Sequence, residues 1–494
     1  MINELLLNKK VLKRSILFSI LMLIFSLTAC MNEEKFETSA GDRLTFSVDT
    51  LQMDTVIAGT GSVTRSFTIY NKNSDGISIT AISFLGGISN GFRVNVDGTY
   101  INGSLPMSID CRSKDSLLVF AEITPAESNQ DYTINHEATL VFTLANGIQQ
   151  TIVLQAYSQD VILLKNVHIT TNTTLSAQRP YLVTDSLTVE EGATLSLTEG
   201  VRLFFKSNAG MLVKGKLLAV GTRAHPIVFR GDRMDYMFTD QPYDRVSAQW
   251  QGLEFATESY GNKLNFCDIH SGTYGILCDS SDVNEEKLRM ENSILHNMSG
   301  NCLETYASKL FIGNSQLSNA GGNVVCLYGG DAEFIHCTLG QFYPFSGLRG
   351  PALAYANYYN NVAFPLVNAL FYNCIITGYS EDEIMGDKSE KFSFAAFNYG
   401  FYNCLLNTPK IENDDRVVGN VWDLTTNKVH RESNFRKFDY DRLTYDFHLD
   451  SLSVARNAAD ASISQQYYPI DLSGVSRLSD GQSDAGCYEF VAGK

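Results

Sequence analysis

The sequence predicts an all-β chain: a β-sandwich followed by a solenoid of stacked β coils. Three observations predict it. Between residues 44 and 157 short apolar runs alternate with polar residues at a period of two, broken by turn signals. From residue 267 onward a four-residue block recurs, twice at a step of 22 residues. Helical periodicity is almost absent. With 494 residues the chain is too long for one ordinary core. At 44% hydrophobic and 19% charged it is a folding chain, not a disordered one. A formal charge of −16 excludes nucleic acid as the main partner and disfavours acidic polysaccharides unless a metal bridges them.

Residues 1–30 read as an export signal. Lys9, Lys10, Lys13 and Arg14 form a basic region, and Ile16 to Ala29 is a mostly apolar run too short to span a bilayer comfortably. It ends in Leu27-Thr28-Ala29-Cys30, which resembles the lipobox of bacterial lipoproteins. That resemblance implies acylation of Cys30 and anchoring in the outer membrane through an N-terminal lipid. Residues 31–43 form an acidic tether. Its Glu33-Glu34 pair is similar to the surface-export signal of Bacteroidetes lipoproteins, which implies the cell surface.

Residues 44–158 are assigned to the sandwich. Candidate strands include Leu44-Phe46-Val48, Phe67-Ile69, Ile77-Ile79, Phe92-Val94-Val96, Leu117-Val119, Leu140-Phe142-Leu144 and Ile152-Leu154. Turns are marked by Asn73-Ser74-Asp75-Gly76 and Asn146-Gly147. The run Phe67-Thr68-Ile69-Tyr70-Asn71, followed by Ile77-Ser78-Ile79, resembles the start of immunoglobulin-like domains of the ASH/Hydin type. The segment carries no nucleophile, metal cluster or phosphate loop, so a spacer or docking role is expected.

Residues 159–494 are assigned to the solenoid. Phe266-Cys267-Asp268-Ile269 aligns with Asn292-Ser293-Ile294-Leu295, Asn314-Ser315-Gln316-Leu317, His336-Cys337-Thr338-Leu339, Asn373-Cys374-Ile375-Ile376 and Asn403-Cys404-Leu405-Leu406. A unit of 22 with longer steps is what coils with loop insertions produce. Strands with no helices between them point to a parallel β-helix. Gly192-Ala193-Thr194-Leu195, Gly200-Val201-Arg202-Leu203 and Pro226-Ile227-Val228-Phe229 resemble right-handed parallel β-helices, and with Trp250-Gln251-Gly252-Leu253 the Bacteroidetes β-helix repeat lipoproteins. The fold expected is thus a right-handed parallel β-helix (solenoid) closed by a C-terminal cap.

The ten cysteines include no CxxC pair, and removing Cys30 leaves an odd number, so neither a zinc site nor a disulfide scaffold is indicated. Cys267, Cys337, Cys374 and Cys404, with Ser293 and Ser315, are expected to stack as a ladder inside the cylinder. Asn292, Asn314, Asn373 and Asn403 precede that ladder, where left-handed backbone at a coil corner and stacked amides suit asparagine. Near the C-terminus, Asp471-Leu472-Ser473-Gly474 and Asp484-Ala485-Gly486-Cys487-Tyr488-Glu489 resemble the ending of secreted β-helix proteins. Arg477 is expected to pair with Asp484 or Glu489, and the segment to cover the last open coil.

Catalytic motifs are missing. Asp414-Asp415 reads as a solvated turn, and Glu381-Asp382-Glu383 as a solvated loop tip. Eight histidines are scattered, none beside a second at local ligand spacing. No catalytic residue, metal ligand or cofactor is therefore assigned. The binding clue is aromatic: the 37-residue step holds Tyr343, Tyr355, Tyr358 and Tyr359, candidate glycan-binding residues, although such rings also pack loops. The expected function is a surface-anchored, non-catalytic lipoprotein whose β-helix binds glycans or protein partners. The alternatives are a polysaccharide lyase or glycoside hydrolase with a carboxylate site scattered over several coils, and a structural subunit of an outer-membrane complex.

Overall fold

The computed structural model describes residues 35–36, 39–238, 240–423 and 431–492. The export signal, Cys30 and most of the tether lie outside the described residues. The described residues form two compact units: those up to 53, with 59–126 and 134–158, make the first, and 54–58, 127–133 and those from 159 onward the second. No helix among the described residues is long and apolar enough to cross a membrane.

The first unit is a sandwich of two five-stranded, mostly antiparallel sheets. One runs Thr45–Phe46, Arg65–Tyr70, Ser116–Ile123, Phe92–Val96, Thr99–Ile101. The other runs Thr50–Ile57, Gln149–Gln159, Ile134–Leu144, Ile77–Leu85, Ser104–Cys111. Alternation sets the inner face. In Ser116–Ile123, Leu117, Val119, Ala121 and Ile123 are buried while Leu118 and Phe120 are exposed. Asn71 is buried, and its side-chain N–H donates to the carbonyls of Asp75 and Cys111 at 2.8 and 3.0 Å. Its amide thus holds the 71–76 turn, which gives the asparagine of the immunoglobulin-like motif its structural task.

The second unit is a parallel β-helix. Each full coil gives one strand to a ten-stranded sheet and two to an eighteen-stranded sheet, and the terminal coils give fewer. In one coil these are Asn262–Asn265, Cys267–His270 and Ile276–Cys278; in the next, Glu286–Glu291, Ile294–Met298 and Leu303–Tyr306. The interior is dry and stacked: Phe334, Phe371 and Phe401 lie ring on ring at 4.8 and 5.1 Å, and Trp250 lies 4.4 Å from Phe205.

Cys267, Ser293, Ser315, Cys337, Cys374 and Cys404 are all buried. The eight cysteines from Cys267 to Cys487 are thiols, and burial pushes Cys278 and Cys302 up to about 12. The residues just before the ladder form a column of left-handed corners: Phe266, Asn292, Asn314, His336, Asn373 and Asn403 have φ between 47° and 55°. Asn292 donates to Asn265 Oδ1 at 2.9 Å, and Asn314 to Asn292 Oδ1 at 2.8 Å. The amides therefore hydrogen-bond along the axis.

The C-terminal segment runs along the flank of the coils. Cys487 N–H donates to Thr338 Oγ1, Gly486 N–H to the Asn373 carbonyl, and Asn373 pairs with the Asp460 backbone. Arg477 pairs with Glu489 at 3.4 Å, which resolves the two pairings open in the sequence.

Glu383 departs from a solvated tip. Glu381 and Asp382 are exposed, but Glu383 is buried because its oxygens accept the N–H groups of Ser380 and Ala352. Burial raises its carboxyl to about 7, against those hydrogen bonds. Between its ordinary 4.5 and about 7 the folded chain keeps a proton that the unfolded chain has released. Its contribution to stability is therefore full below the lower value and lost as pH rises through the upper one. Urea midpoints should fall more from pH 5 to pH 8 in the native chain than in Glu383→Gln; equal falls would remove Glu383 as the source.

Candidate functional site

One flank of the helix carries a row of polar side chains. In register across neighbouring coils lie Asp268, Ile294, Gln316 and Thr338 in one column, and His270, His296, Ser318 and Gly340 in the next. These point outward because Ile269, Leu295, Leu317 and Leu339 alternate with them and fill the core.

A hairpin of Phe435–Asp439 and Thr444–Leu449 packs on this flank. Phe447 seats against Gly340, where a Cβ would come within 2.4 Å of its ring. Tyr488 follows and donates its hydroxyl to Gln316 Oε1 at 3.1 Å. Between hairpin and coils a cleft of about 350 Å³ remains, within the usual size of small-ligand sites. His296, Asn297, Gln316, Ser318 and Asn319 line one wall; Tyr445, Asp446, His448 and Tyr488 line the other.

Two polar atoms of lining residues are buried without a hydrogen-bond partner: Asn319 Oδ1 and Tyr445 Oη. Asn319 donates its own N–H to Asn297 Oδ1 at 3.2 Å, so its oxygen alone is left. Burial pushes the Tyr445 phenol well above its usual range and keeps it a donor at neutral pH. His448 is held by Asp446 at 2.6 Å and stacks on Tyr488 at 4.1 Å. Burial raises the Asp446 carboxyl, but the hydrogen bonds from His448 outweigh it and hold the group below its ordinary value.

At the cleft's edge, Asp268 Oδ1 lies 2.9 Å from His270 Nδ1 and 3.2 Å from His296 Nε2. Burial would raise Asp268, yet the two imidazoles hold it well below the usual carboxylate range. These three are the group among the described residues whose ligand atoms could close on one cation. The sequence reading assigned no metal ligand because His270 and His296 are 26 residues apart; the coil register brings their rings to 5.0 Å.

The four candidate tyrosines do not share a surface. Tyr343 is buried, with its hydroxyl 2.7 Å from Ser247 Oγ. Tyr355 points into the core beneath Phe397, because it shares the inward side of its strand with Leu353. Tyr358 and Tyr359 are half-buried on a short hairpin; Tyr358 donates to Asp387, and Tyr359 packs on Tyr306 and Tyr328. Asp414 is clamped by Arg416 at 2.7 Å and accepts from Tyr399.

No family model matches the chain. A 70-residue stretch is 45% identical to the protein bark beetle of Drosophila melanogaster, covering 14% of this chain and 2% of that protein's length. Among solved structures, the chain is similar to the ASH/PapD-like domain 7 of human CEP192, at 11% identity and a TM-score of 0.18, over 26% of this chain and 93% of that one. It is also similar to the catalytic unit of a GH87 alpha-1,3-glucanase from Streptomyces thermodiastaticus, at 10% identity and a TM-score of 0.28, over 69% and 77% of the two chains.

Proposed function

We propose that this chain is a carbohydrate-binding lipoprotein of the bacterial surface, anchored through Cys30, with its glycan seat in the cleft between the coils and the 435–449 hairpin. The observation that carries the reading is the cleft's polar lining, two of whose residues, Asn319 and Tyr445, each carry a buried polar atom without a partner. A buried polar atom with no partner costs about 1–3 kcal/mol, and a ligand hydroxyl that reaches it recovers that cost. A sugar presents such hydroxyls, each both donor and acceptor, and the amides and imidazoles around them match that chemistry. The acidic chain favours neutral glycans. Asp446 is the one carboxylate among the described lining residues, whereas glycoside hydrolysis ordinarily uses two, so binding without turnover is the stronger reading.

The test is affinity electrophoresis of the full chain against neutral plant and host polysaccharides. Tyr445→Phe removes only the orphan hydroxyl. It is expected to weaken retention about 5-fold, one hydrogen bond's worth, while leaving thermal stability unchanged or higher. Retention that Tyr445→Phe leaves untouched, or no retention at all, rejects the cleft as the seat. Release of reducing ends or unsaturated products rejects the non-catalytic half.

A further inference from the structure

The histidines at the cleft's edge carry an inference of their own. His270 has a carboxylate at each ring nitrogen: Asp268 Oδ1 at 2.9 Å from Nδ1, and Asp244 Oδ2 at 4.0 Å from Nε2. A neutral imidazole has one N–H, so one nitrogen turns a lone pair toward negative charge. A cation between His270 and Asp268 removes that conflict. It takes the Nδ1 lone pair and leaves the Nε2 proton facing Asp244, the carboxylate-behind-histidine arrangement found at metal centres. Asp244 is itself fixed by Arg230 at 2.9 Å.

The two carboxylate–imidazole distances agree. Ligands about 2.1 Å from one ion, at angles between octahedral and tetrahedral, stand about 3.0–3.4 Å apart. Asp268 Oδ1 lies 2.9 and 3.2 Å from the two histidine nitrogens, and all three ligand atoms fall within 4.8 Å of one another. The backbone sets this geometry: Asp268 and His270 leave one strand on the same side, and His296 is the register partner of His270 on the next coil. Two imidazoles and one carboxylate suit zinc, iron, cobalt or nickel rather than calcium or magnesium, which prefer all-oxygen shells.

We infer that Asp268, His270 and His296 form a binding site for a divalent first-row transition metal ion, with its remaining coordination positions open toward the cleft that His296 lines. Three protein ligands leave such an ion at least one position for water or a ligand oxygen. The inference does not rest on the carbohydrate reading.

The experiment is titration of the chelator-stripped full chain with Co²⁺, followed by visible absorption, and with Zn²⁺, followed by calorimetry. One ion per chain is expected, with a cobalt band characteristic of nitrogen and oxygen ligands. Asp268→Asn and His296→Gln should each weaken that binding at least 30-fold, and a melting curve of each variant shows whether it remains folded. His168→Gln, on an exposed His168–Glu190 pair away from this cluster, should leave it unchanged. Tyr445→Phe should also leave metal affinity intact, which separates this outcome from failure of the glycan reading. No binding at millimolar metal would mean that Asp268 merely accepts hydrogen bonds from two imidazoles, and would overturn the inference. So would affinity that survives both ligand substitutions in folded protein.

Discussion

Replacing Arg477 with methionine is expected to lower the free energy of unfolding by about 3–5 kcal/mol, the usual cost of removing one partner from a buried charge network. Arg477 is fully buried. One nitrogen donates to Asn314 Oδ1 at 2.7 Å, and another meets Glu489 Oε2 at 3.4 Å. The guanidinium thus joins the last amide of the Asn265–Asn292–Asn314 ladder to the C-terminal segment. It also faces a cluster of buried acids. Asp471 accepts the N–H groups of Val475 and Glu489, and Asp484 those of Asn457 and Phe490. Burial and neighbouring Asp484 raise the Glu489 carboxyl, while Arg477 offsets part of that rise. Methionine fills the volume but leaves these acids without a cation. Arg477→Lys keeps the charge and loses the fork, so it should recover only part of the loss. Equilibrium urea unfolding of the three proteins measures this. A methionine variant within about 1 kcal/mol of the native chain would mean that apolar packing of the C-terminal segment, not its charge network, holds it to the coils.

The scaffold was legible in the sequence because a solenoid repeats its physics. Each coil from Cys267 to Cys404 carries a small polar side chain at one interior position and a left-handed residue before it, and both leave a recurring residue-level mark. The candidate site left less of one. His270 and His296 occupy the position three beyond the ladder residues Cys267 and Ser293, so carrying the aligned block one residue further would have paired them. The hairpin that forms the other wall of the cleft belongs to no repeat, and nothing in residues 435–449 announces which coils it packs on. Tyr355 shows a second limit. An aromatic residue in an insertion reads equally as a ligand platform or as packing, and strand alternation, visible only once the strand Leu353–Ala356 is placed, turns it inward. Glu383 shows a third: two backbone N–H groups from the surrounding loop and coil draw one member of an acidic run inside, and no local pattern encodes them.

The interior ladder yields the other large effect. Cys337 N–H donates to Cys374 Sγ at 3.4 Å, and Cys374 N–H to Cys404 Sγ at 3.3 Å. The Cys374 thiol in turn donates toward the Tyr372 carbonyl at 3.3 Å. Ser293 and Ser315 do the same with hydroxyls: each donates to the carbonyl two residues before it at 2.7 Å, and each accepts the N–H of the ladder residue one coil earlier. From Cys267 to Cys404 the ladder side chain is thus a hydrogen-bonding joint between coils, which explains why cysteine and serine interchange there, whereas the two preceding coils place Ile227 and Val201 in the column. Cys374→Val keeps the position apolar but strands the Cys337 N–H in the interior, whereas the Tyr372 carbonyl keeps the His336 N–H. At about 1–3 kcal/mol for one orphaned buried group, a loss in that range is expected. Cys374→Ser restores the donor and the acceptor and should stay within about 1 kcal/mol of the native chain. Denaturant unfolding of the two variants decides between hydrogen bonding and volume. If valine is tolerated as well as serine, the column is held by packing alone, and the recurrence of thiols and hydroxyls along it needs another cause.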